Sequence, residues 1–281
     1  MVEHGARSMV PSLALENISC TYVSHGQPVG NHGARHRFTA VQDTTLVVEE
    51  GEFVSVVGPT GCGKSTLLNV AAGLLEPSAG SVRVFGAALH GVNNRAGYMF
   101  QSESLMPWRN AFENIIAGLE FRSVPVRERI ERGNDWLRRV GLAGFGDRYL
   151  HQLSGGMRKR VALAQMLILG PQILLMDEPF AALDIQTRQL MENELLALWS
   201  ADRKSVVFIT HDLEEAISLS DRVVVLSAGP ASHPIGDYVI DIPRPRDVAD
   251  VRLTPQFVEL HREIWHAMKD EVLKGYARQQ K

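Results

Sequence analysis

Residues Gly58-Pro59-Thr60-Gly61-Cys62-Gly63-Lys64-Ser65-Thr66 set a lysine and two hydroxyls directly behind a run rich in glycine. The spacing fits the G-x-x-x-x-G-K-[ST] pattern at every fixed position. Glycines let the backbone fold tightly, so successive N–H groups and the positive end of a following helix converge on a phosphate chain. Lys64 then reaches the β- and γ-phosphates of a nucleotide, Ser65 offers its hydroxyl to Mg²⁺ and Thr66 its own to a phosphate oxygen. A second piece of chemistry lies downstream in Asp177-Glu178-Pro179, two adjacent carboxylates closing an apolar run. Asp177 is placed to hold the Mg²⁺ shell through water. Glu178, one residue further, is placed to polarise the water that attacks the γ-phosphate. His211, after another apolar run, can contact that phosphate and sense its loss. Gln101 ends a third such run, where its amide oxygen can ligate Mg²⁺ or orient water.

Ser154-Gly155-Gly156 opens a helical pattern that continues through Ala164, and a serine cap followed by glycines exposes free N–H groups that favour an anion. An ordinary helix cap has the same composition, and the chemistry alone leaves both readings open. The thiol of Cys62, inside the phosphate loop, leads to the expectation that a bulky thiol reagent blocks nucleotide binding and that nucleotide protects it.

These residues need elements to hold them. Phe53 to Val57 is a short β-branched run that reads as a buried strand feeding the glycine loop, and Thr66 to Ala72 opens a helix. Strand signals also cover Leu13 to Ser19, Thr44 to Glu49, Ser81 to Gly86 and Gly97 to Gln101. Ser24 to Arg37, rich in Gly and carrying His25, His32 and His36, reads as a flexible loop whose histidines match no metal-ligand spacing. Helical spacing dominates from Asn110 to Leu169, giving a helical insert at about 102–165 within the α/β core. Runs at Ile173 to Asp177, Ser205 to Thr210 and Arg222 to Leu226, separated by helical patterns, predict a mostly parallel sheet covered on both faces. Beyond Pro243 a polar helix from Gln256 to Tyr276 carries Phe257, Leu260, Ile264, Trp265 and Met268 along one side, a stripe that reads as a packing face.

The chain has 281 residues, 45% hydrophobic and 22% charged, enough for a full core. Its net charge of −3 argues against general affinity for nucleic acid. Cys20 and Cys62 lie far apart in sequence and read as reduced thiols. No run approaches the length of a membrane span, and the N-terminal residues lack a signal-peptide core, so a soluble chain acting on membranes only through partners is expected.

Gly58 to Thr66, Leu153 to Met157, Leu174 to Pro179, Ala182-Leu183-Asp184 and His211 stand in the order and approximate spacing of the ATP-binding cassette family, which the chain resembles over about residues 12–230. The resemblance implies a P-loop NTPase core with an N-terminal antiparallel β subdomain and an inserted α-helical subdomain, spanning 12–242, followed by a helical extension at 243–281. It implies ATP hydrolysis with Mg²⁺ in a head-to-tail homodimer, each phosphate loop facing Ser154, Gly155 and Gly156 of the other copy. Tyr22 then looks like the aromatic that stacks on adenine, Gln101 the glutamine of the loop coupled to a membrane subunit, and Asp184 the acid that crosses the dimer interface. The stretch from Ser24 to Phe38 lengthens the usual spacing, which makes Phe38 a rival of Tyr22. Lys159 stands where glutamine is common and Gln165 where arginine is common.

Gly51 to Ser55, Ser104 to Asn110 and Asp241 to Arg246 are similar to the ATPases of nitrate, sulfonate and taurine importers. That similarity implies two integral-membrane permease subunits, an extracytoplasmic solute-binding protein and a place on the cytoplasmic face of the membrane. Leu105, Met106, Pro107 and Trp108 are then expected to receive a short helix of the permease. Exporter or lipid-handling ATPases are the alternative. Soluble cassette ATPases acting on nucleic acid or ribosomes are a further one, but their paired cassettes, coiled coils and basic arms do not occur here.

Overall fold

A computed structural model describes residues 10–25, 35–102 and 104–279. Two sheets organise it. In the first, β1 (Leu13–His25) pairs antiparallel with β2 (Arg35–Val48) on one side and with β4 (Ala79–Val84) on the other, and β5 (Ala87–Ala88) extends the edge. In the second, β3 (Phe53–Val57), β6 (Ala96–Met99), β7 (Ile173–Asp177), β8 (Ser205–Ile209) and β9 (Arg222–Leu226) run parallel in the order β9-β3-β8-β7-β6. A sixth strand, β10 (Pro234–Val239), closes the edge antiparallel to β9.

The helices are α1 (Lys64–Ala71), α2 (Ala111–Phe121), α3 (Val126–Arg139), α4 (Gly155–Leu167), α5 (Ile185–Ala201), α6 (Leu213–Leu219), α7 (Val248–Val251) and α8 (Pro255–Gln279). Helices α2 and α3 build the expected insert, and α4 carries the chain back to β7.

Every residue of β3, β7 and β8 is buried, which explains their unbroken apolar runs: both faces of a parallel sheet are covered. Phe53 faces an aromatic spine, with Trp199 edge-on at 5.6 Å between ring centroids and Phe208 at 5.8 Å. Ile115, Leu119, Leu142 and Leu163 of the insert join the same buried cluster, so insert and sheet share one core. On the opposite face Val54 and Val56 pack with Leu67 and Leu68 of α1 and with Leu13, Leu15 and Ile18 of β1. The 243–281 extension is likewise part of the core. Its Val251, Phe257, Ile264 and Met268 are buried with Val57, Leu213, Ile217 and Val225. Trp265 departs from the expected stripe and is 43% exposed.

The segment read as a flexible loop from Ser24 to Arg37 is partly strand. Strand β1 continues to His25 and β2 begins at Arg35, with Ser24 opposite His36 and Tyr22 opposite Phe38. Cross-strand pairing carries the ladder into this glycine- and histidine-rich stretch, helped by a 3.0 Å hydrogen bond between the hydroxyls of Thr21 and Thr39. His32 lies outside the described residues.

The turn before α2 is held by Asn114, which is fully buried. Its Oδ1 accepts from Met106 N at 2.8 Å, and its Nδ2 donates to the carbonyls of Met106, Arg109 and Asn110 at 3.2, 3.1 and 2.9 Å. Asn110 caps the helix in a reciprocal box with Glu113. Removing the Asn114 amide takes the partner from Met106 N–H and Arg109 O, while Met106 O and Asn110 O keep Arg109 N and Asn114 N, so Asn114→Ala is expected to lower stability by about 3 kcal/mol. Denaturant unfolding at unchanged slope measures it, and a loss below about 1 kcal/mol would contradict this account of the turn.

Candidate nucleotide site

One row of backbone pairing crosses the site: Val56 of β3 lies opposite Ile209 of β8, and Ile209 lies opposite Asp177 of β7. Parallel register therefore delivers the glycine loop, the Asp177-Glu178 pair and His211 to one edge of the sheet, where ligands gather in open α/β folds. The loop bends through Gly61 and Gly63, with φ of 78° and 92°. At Gly63 a methyl group would come within 2.6 Å of Val41 Cγ1 on β2, so only glycine lets the loop lie this close to the first sheet. Lys64 is 6% exposed, and its ammonium donates to the carbonyls of Gly58 at 2.8 Å and Pro59 at 3.2 Å. The ammonium thus lies curled into its own loop, where phosphate oxygens would compete with those carbonyls for it.

Ser65 donates to Asp177 Oδ1 at 3.1 Å, joining two of the three expected Mg²⁺ ligands directly. Burial holds Asp177 above the usual carboxylate range. The Glu178 charge adds to this, while the Ser65 hydrogen bond and the Lys64 charge oppose it. Glu178 follows with φ of 43°, a left-handed conformation rare outside glycine, fixed by its N–H donating to Ile209 O at 2.9 Å. Its Oε2 is met by His211 Nδ1 at 3.1 Å and by Gln101 Nε2 at 3.4 Å. Gln101 stands two residues past the end of β6, and its amide nitrogen, not its oxygen, faces Glu178. Tyr22 and Phe38 are cross-strand partners, 44% and 50% exposed, so the two candidate aromatics lie opposite each other on the hairpin. The Tyr22 hydroxyl reaches Thr66 Oγ1 at 3.5 Å.

Ser154 caps α4, its Oγ accepting from Met157 N at 3.2 Å. The neighbours of its glycines belong to the turn into α5. A methyl on Gly156 would lie 2.7 Å from Thr187 Cγ2, and one on Gly155 3.7 Å from Leu183 Cδ2. Asp184 caps α5 by accepting from Thr187 N at 2.9 Å, and that bond holds its carboxyl below the usual range. The structure thus brings Ser154, Gly155, Gly156 and Asp184 together as one patch. Lys64, Ser65, Gln101, Asp177, Glu178 and His211 form another.

Two expectations change. Cys62 is fully buried, and burial pushes its thiol pKa upward, so it is not the accessible reactive group expected inside the loop. Its N–H closes the loop turn onto Pro59 O at 3.2 Å, and its carbonyl accepts from the Ser232 hydroxyl. Leu105 belongs to the core at 8% exposure, whereas Trp108 is 73% exposed, so the four residues from Leu105 to Trp108 do not form one apolar surface. The groove beside them, a cavity of about 330 Å³, is lined instead by Tyr98, Phe100, Met106, Phe121 and Met166, with Gln165 at its wall.

Two features escaped the sequence reading. Lys159, only 2% exposed, donates to Gln101 O at 3.2 Å and ties the helix after Ser154 to the Gln101 loop. Its departure from the common glutamine was the available signal. Helix α8 passes beside the glycine loop, and its Trp265, Met268 and Gly275 enclose a cavity of about 250 Å³ with Pro59, Thr60 and His211. Nothing in a polar helix pattern signals that placement.

Residues 41–181 match the ABC transporter family. An uncharacterised ABC transporter ATP-binding protein of Methanocaldococcus jannaschii, MJ0412, is 45% identical over 268 residues, 95% of each chain. The taurine import ATP-binding protein TauB of Escherichia coli K12 is 45% identical over 191 residues, 68% of this chain and 75% of that one. The bicarbonate transport ATP-binding protein CmpD of Synechococcus elongatus is 39% identical, covering 89% and 87%. Among solved structures, the ATP-binding cassette MJ0796, a dimer in a post-hydrolysis state bound to ADP and Pi, superposes with a TM-score of 0.68 at 31% identity over 82% of this chain and all of that one. With the phosphate-loop fold and the strand-end cluster described above, these matches establish that the chain belongs to the ABC transporter ATPase family, whose members couple ATP hydrolysis to transport.

Proposed function

We propose that this chain is the energy-coupling ATPase of an import system for a small anionic solute of the nitrate, sulfonate or taurine type. In this reading it works at the cytoplasmic face of the cell membrane, as a homodimer joined to two integral-membrane permease subunits and served by an extracytoplasmic solute-binding protein. The likeness to TauB and CmpD supports import of small anions. Among the described residues no helix is long and apolar enough to cross a membrane, so the solute pathway is assigned to the permeases.

The observation that carries the mechanism is the hydrogen-bonded cluster in which Ser65 meets Asp177 while Gln101 and His211 meet Glu178. Ser65 and Asp177 present adjacent hard oxygens, a donor set that suits Mg²⁺, with the Gln101 amide as a further ligand once it turns over. When bound, Mg²⁺ would neutralise charge on the β- and γ-phosphates. The loop from Gly58, Pro59 and Thr60 through Gly61, Cys62 and Gly63 to Thr66 wraps those phosphates with its N–H groups, Pro59 shaping the turn without donating, and Lys64 leaves its own carbonyls to hold them. Glu178 accepts a proton from the attacking water, and His211, already on Glu178 Oε2, holds the carboxylate toward the γ-phosphate. Tyr22 stacks on adenine, with Phe38, its partner across the hairpin, as the rival for that place.

In this reading Ser154, Gly155, Gly156 and Asp184 serve the ATP of the opposite subunit. Helix α4 offers its N-terminal amides there, and Asp184 reaches across the interface. ATP then joins two copies and its hydrolysis separates them. The groove of Tyr98, Phe100, Met106, Phe121 and Met166 receives the permease helix.

Glu178→Gln should bind ATP, accumulate as a closed dimer and lose steady turnover by about 100-fold or more. Sedimentation with and without ATP, alongside phosphate release, checks this, and rapid hydrolysis by the variant would remove Glu178 from its role. Ser154→Ala should slow hydrolysis and weaken dimer closure by about tenfold while nucleotide affinity of the monomer changes less than about threefold. Fluorescent-nucleotide titration of dilute protein separates the two, and equal losses in both would show that Ser154 serves its own subunit's ATP.

A further inference from the structure

Beneath the His211 turn lies a pair of carboxyls that the catalytic reading does not use. Glu192 of α5 is fully buried and Glu215 of α6 is 4% exposed. The two side chains are within hydrogen-bonding reach of each other, and each leaves its Oε1 buried without a donor. Neither side chain carries a donor when ionised, so two carboxylates here would be a desolvated like-charge contact, which is strongly unfavourable. One proton shared by the pair removes the like-charge contact and supplies a donor between the two carboxyls.

The remaining oxygens are engaged. Glu192 Oε2 accepts from Arg252 at 3.2 Å, and Glu215 Oε2 accepts from the Thr210 hydroxyl. Around the pair stand Arg188, 3.2 Å from Asp212, and Arg252, which also lies 3.5 Å from Glu214. Burial raises both acids, to about 7 for Glu192 and about 8 for Glu215. At Glu192, Arg252, Arg188 and the hydrogen-bonding contact with Glu215 oppose the rise and Asp212 adds to it; at Glu215, the Thr210 hydrogen bond and Arg188 oppose it and the charges of Glu192 and Asp212 add to it. Thr210 directly precedes His211, and its Oγ1 also accepts from Asp212 N at 3.0 Å. Glu215 therefore fixes the hydroxyl that shapes the turn bearing His211, and Glu192 anchors it to the helix that starts at Asp184.

We propose that Glu192 and Glu215 share one proton, and that this acid–carboxylate pair is the positioning element that keeps His211 on Glu178 and couples it to the Asp184 helix. The inference rests on the proposed role of His211 in holding Glu178 toward the γ-phosphate. Loss of the proton sets two charges against each other between α5 and α6 and releases the Thr210 clamp. The phosphate loop is untouched, so hydrolysis falls while ATP affinity stays. The folded pair keeps a proton that an ordinary glutamate gives up near 4.5. Folding therefore binds a proton across the neutral range, and stability declines as pH rises through it.

Full-length Glu192→Gln and Glu215→Gln test this, because each amide donates to the remaining carboxylate at every pH. Wild-type kcat should fall at least about threefold between about pH 7 and about pH 9 with KM for MgATP nearly constant, while both Gln variants stay within about threefold of wild type at neutral pH and lose that fall. Their melting temperatures should also drop less than wild type over the same range. For wild-type protein, infrared difference spectra should show a protonated carboxyl band at neutral pH that the double Gln variant lacks. Gln variants that keep the wild-type alkaline fall, or wild-type spectra without the band, would overturn the proposal. His211→Ala tests the underlying assignment separately: if it turns over normally, the role of His211 fails even where the proton pair is found.

Discussion

Parallel hydrogen bonding among β3, β8 and β7 is the constraint from which the rest follows. With Val56, Ile209 and Asp177 in one row, the three strands end together, and whatever follows each is forced onto the same edge. The phosphate loop follows the first, the Thr210-His211 turn the second and Glu178 the third. Ladder bonds also fix the depth of each group, as when Glu178 N–H reaches across to Ile209 O. A slip of one residue would reverse the facing of side chains along a strand, turning Phe53 and Phe208 out of the aromatic spine. Core packing and catalytic geometry therefore select the same register.

That edge concentrates charge in a partly buried setting. The Lys64 charge opposes the rise at Asp177, yet burial still holds Asp177 above the usual carboxylate range. Each group leans on a neighbour: the ammonium on loop carbonyls, Ser65 on Asp177, Gln101 and His211 on Glu178. The contacts of Ser65 and His211 hold those side chains ordered, which lowers the cost of fixing them around a nucleotide, whereas Lys64 and Gln101 must exchange their present partners. The Ser154 patch stands apart, bound to the α5 turn, and a separate surface of helix amides suits a phosphate brought by another copy.

Features whose chemistry is local were legible in the chain. Gly58 to Thr66 and Asp177-Glu178 are runs of consecutive residues whose types can be read without knowing what surrounds them. The buried strands were legible for the same reason, since covering both faces requires an unbroken apolar run. Features made by distant residues were not. The extension of β1 and β2 through Ser24 and Arg35 depends on pairing across the hairpin, which glycine and histidine composition conceals. Glu192 and Glu215 each look like a surface acid on a polar helix, and only the packing of α5 on α6 makes them a buried pair. Cys62 looked reactive because of its neighbours in sequence, whereas Ser232 and the first sheet close over it. The position of α8 against Pro59 is likewise a property of tertiary packing, carried by Phe257, Ile264 and Met268.

The central claim is that each ATP site is built from two chains, the phosphate loop of one and Ser154 to Gly156 of the other. Mixing a Lys64→Ala chain with a Ser154→Ala chain tests it directly. A head-to-tail mixed dimer would combine both defects in one site and leave the other site intact, so two strongly impaired proteins should recover about a quarter of wild-type turnover when mixed in equal amounts. A mixture no more active than the mean of the two separate proteins would contradict the shared site.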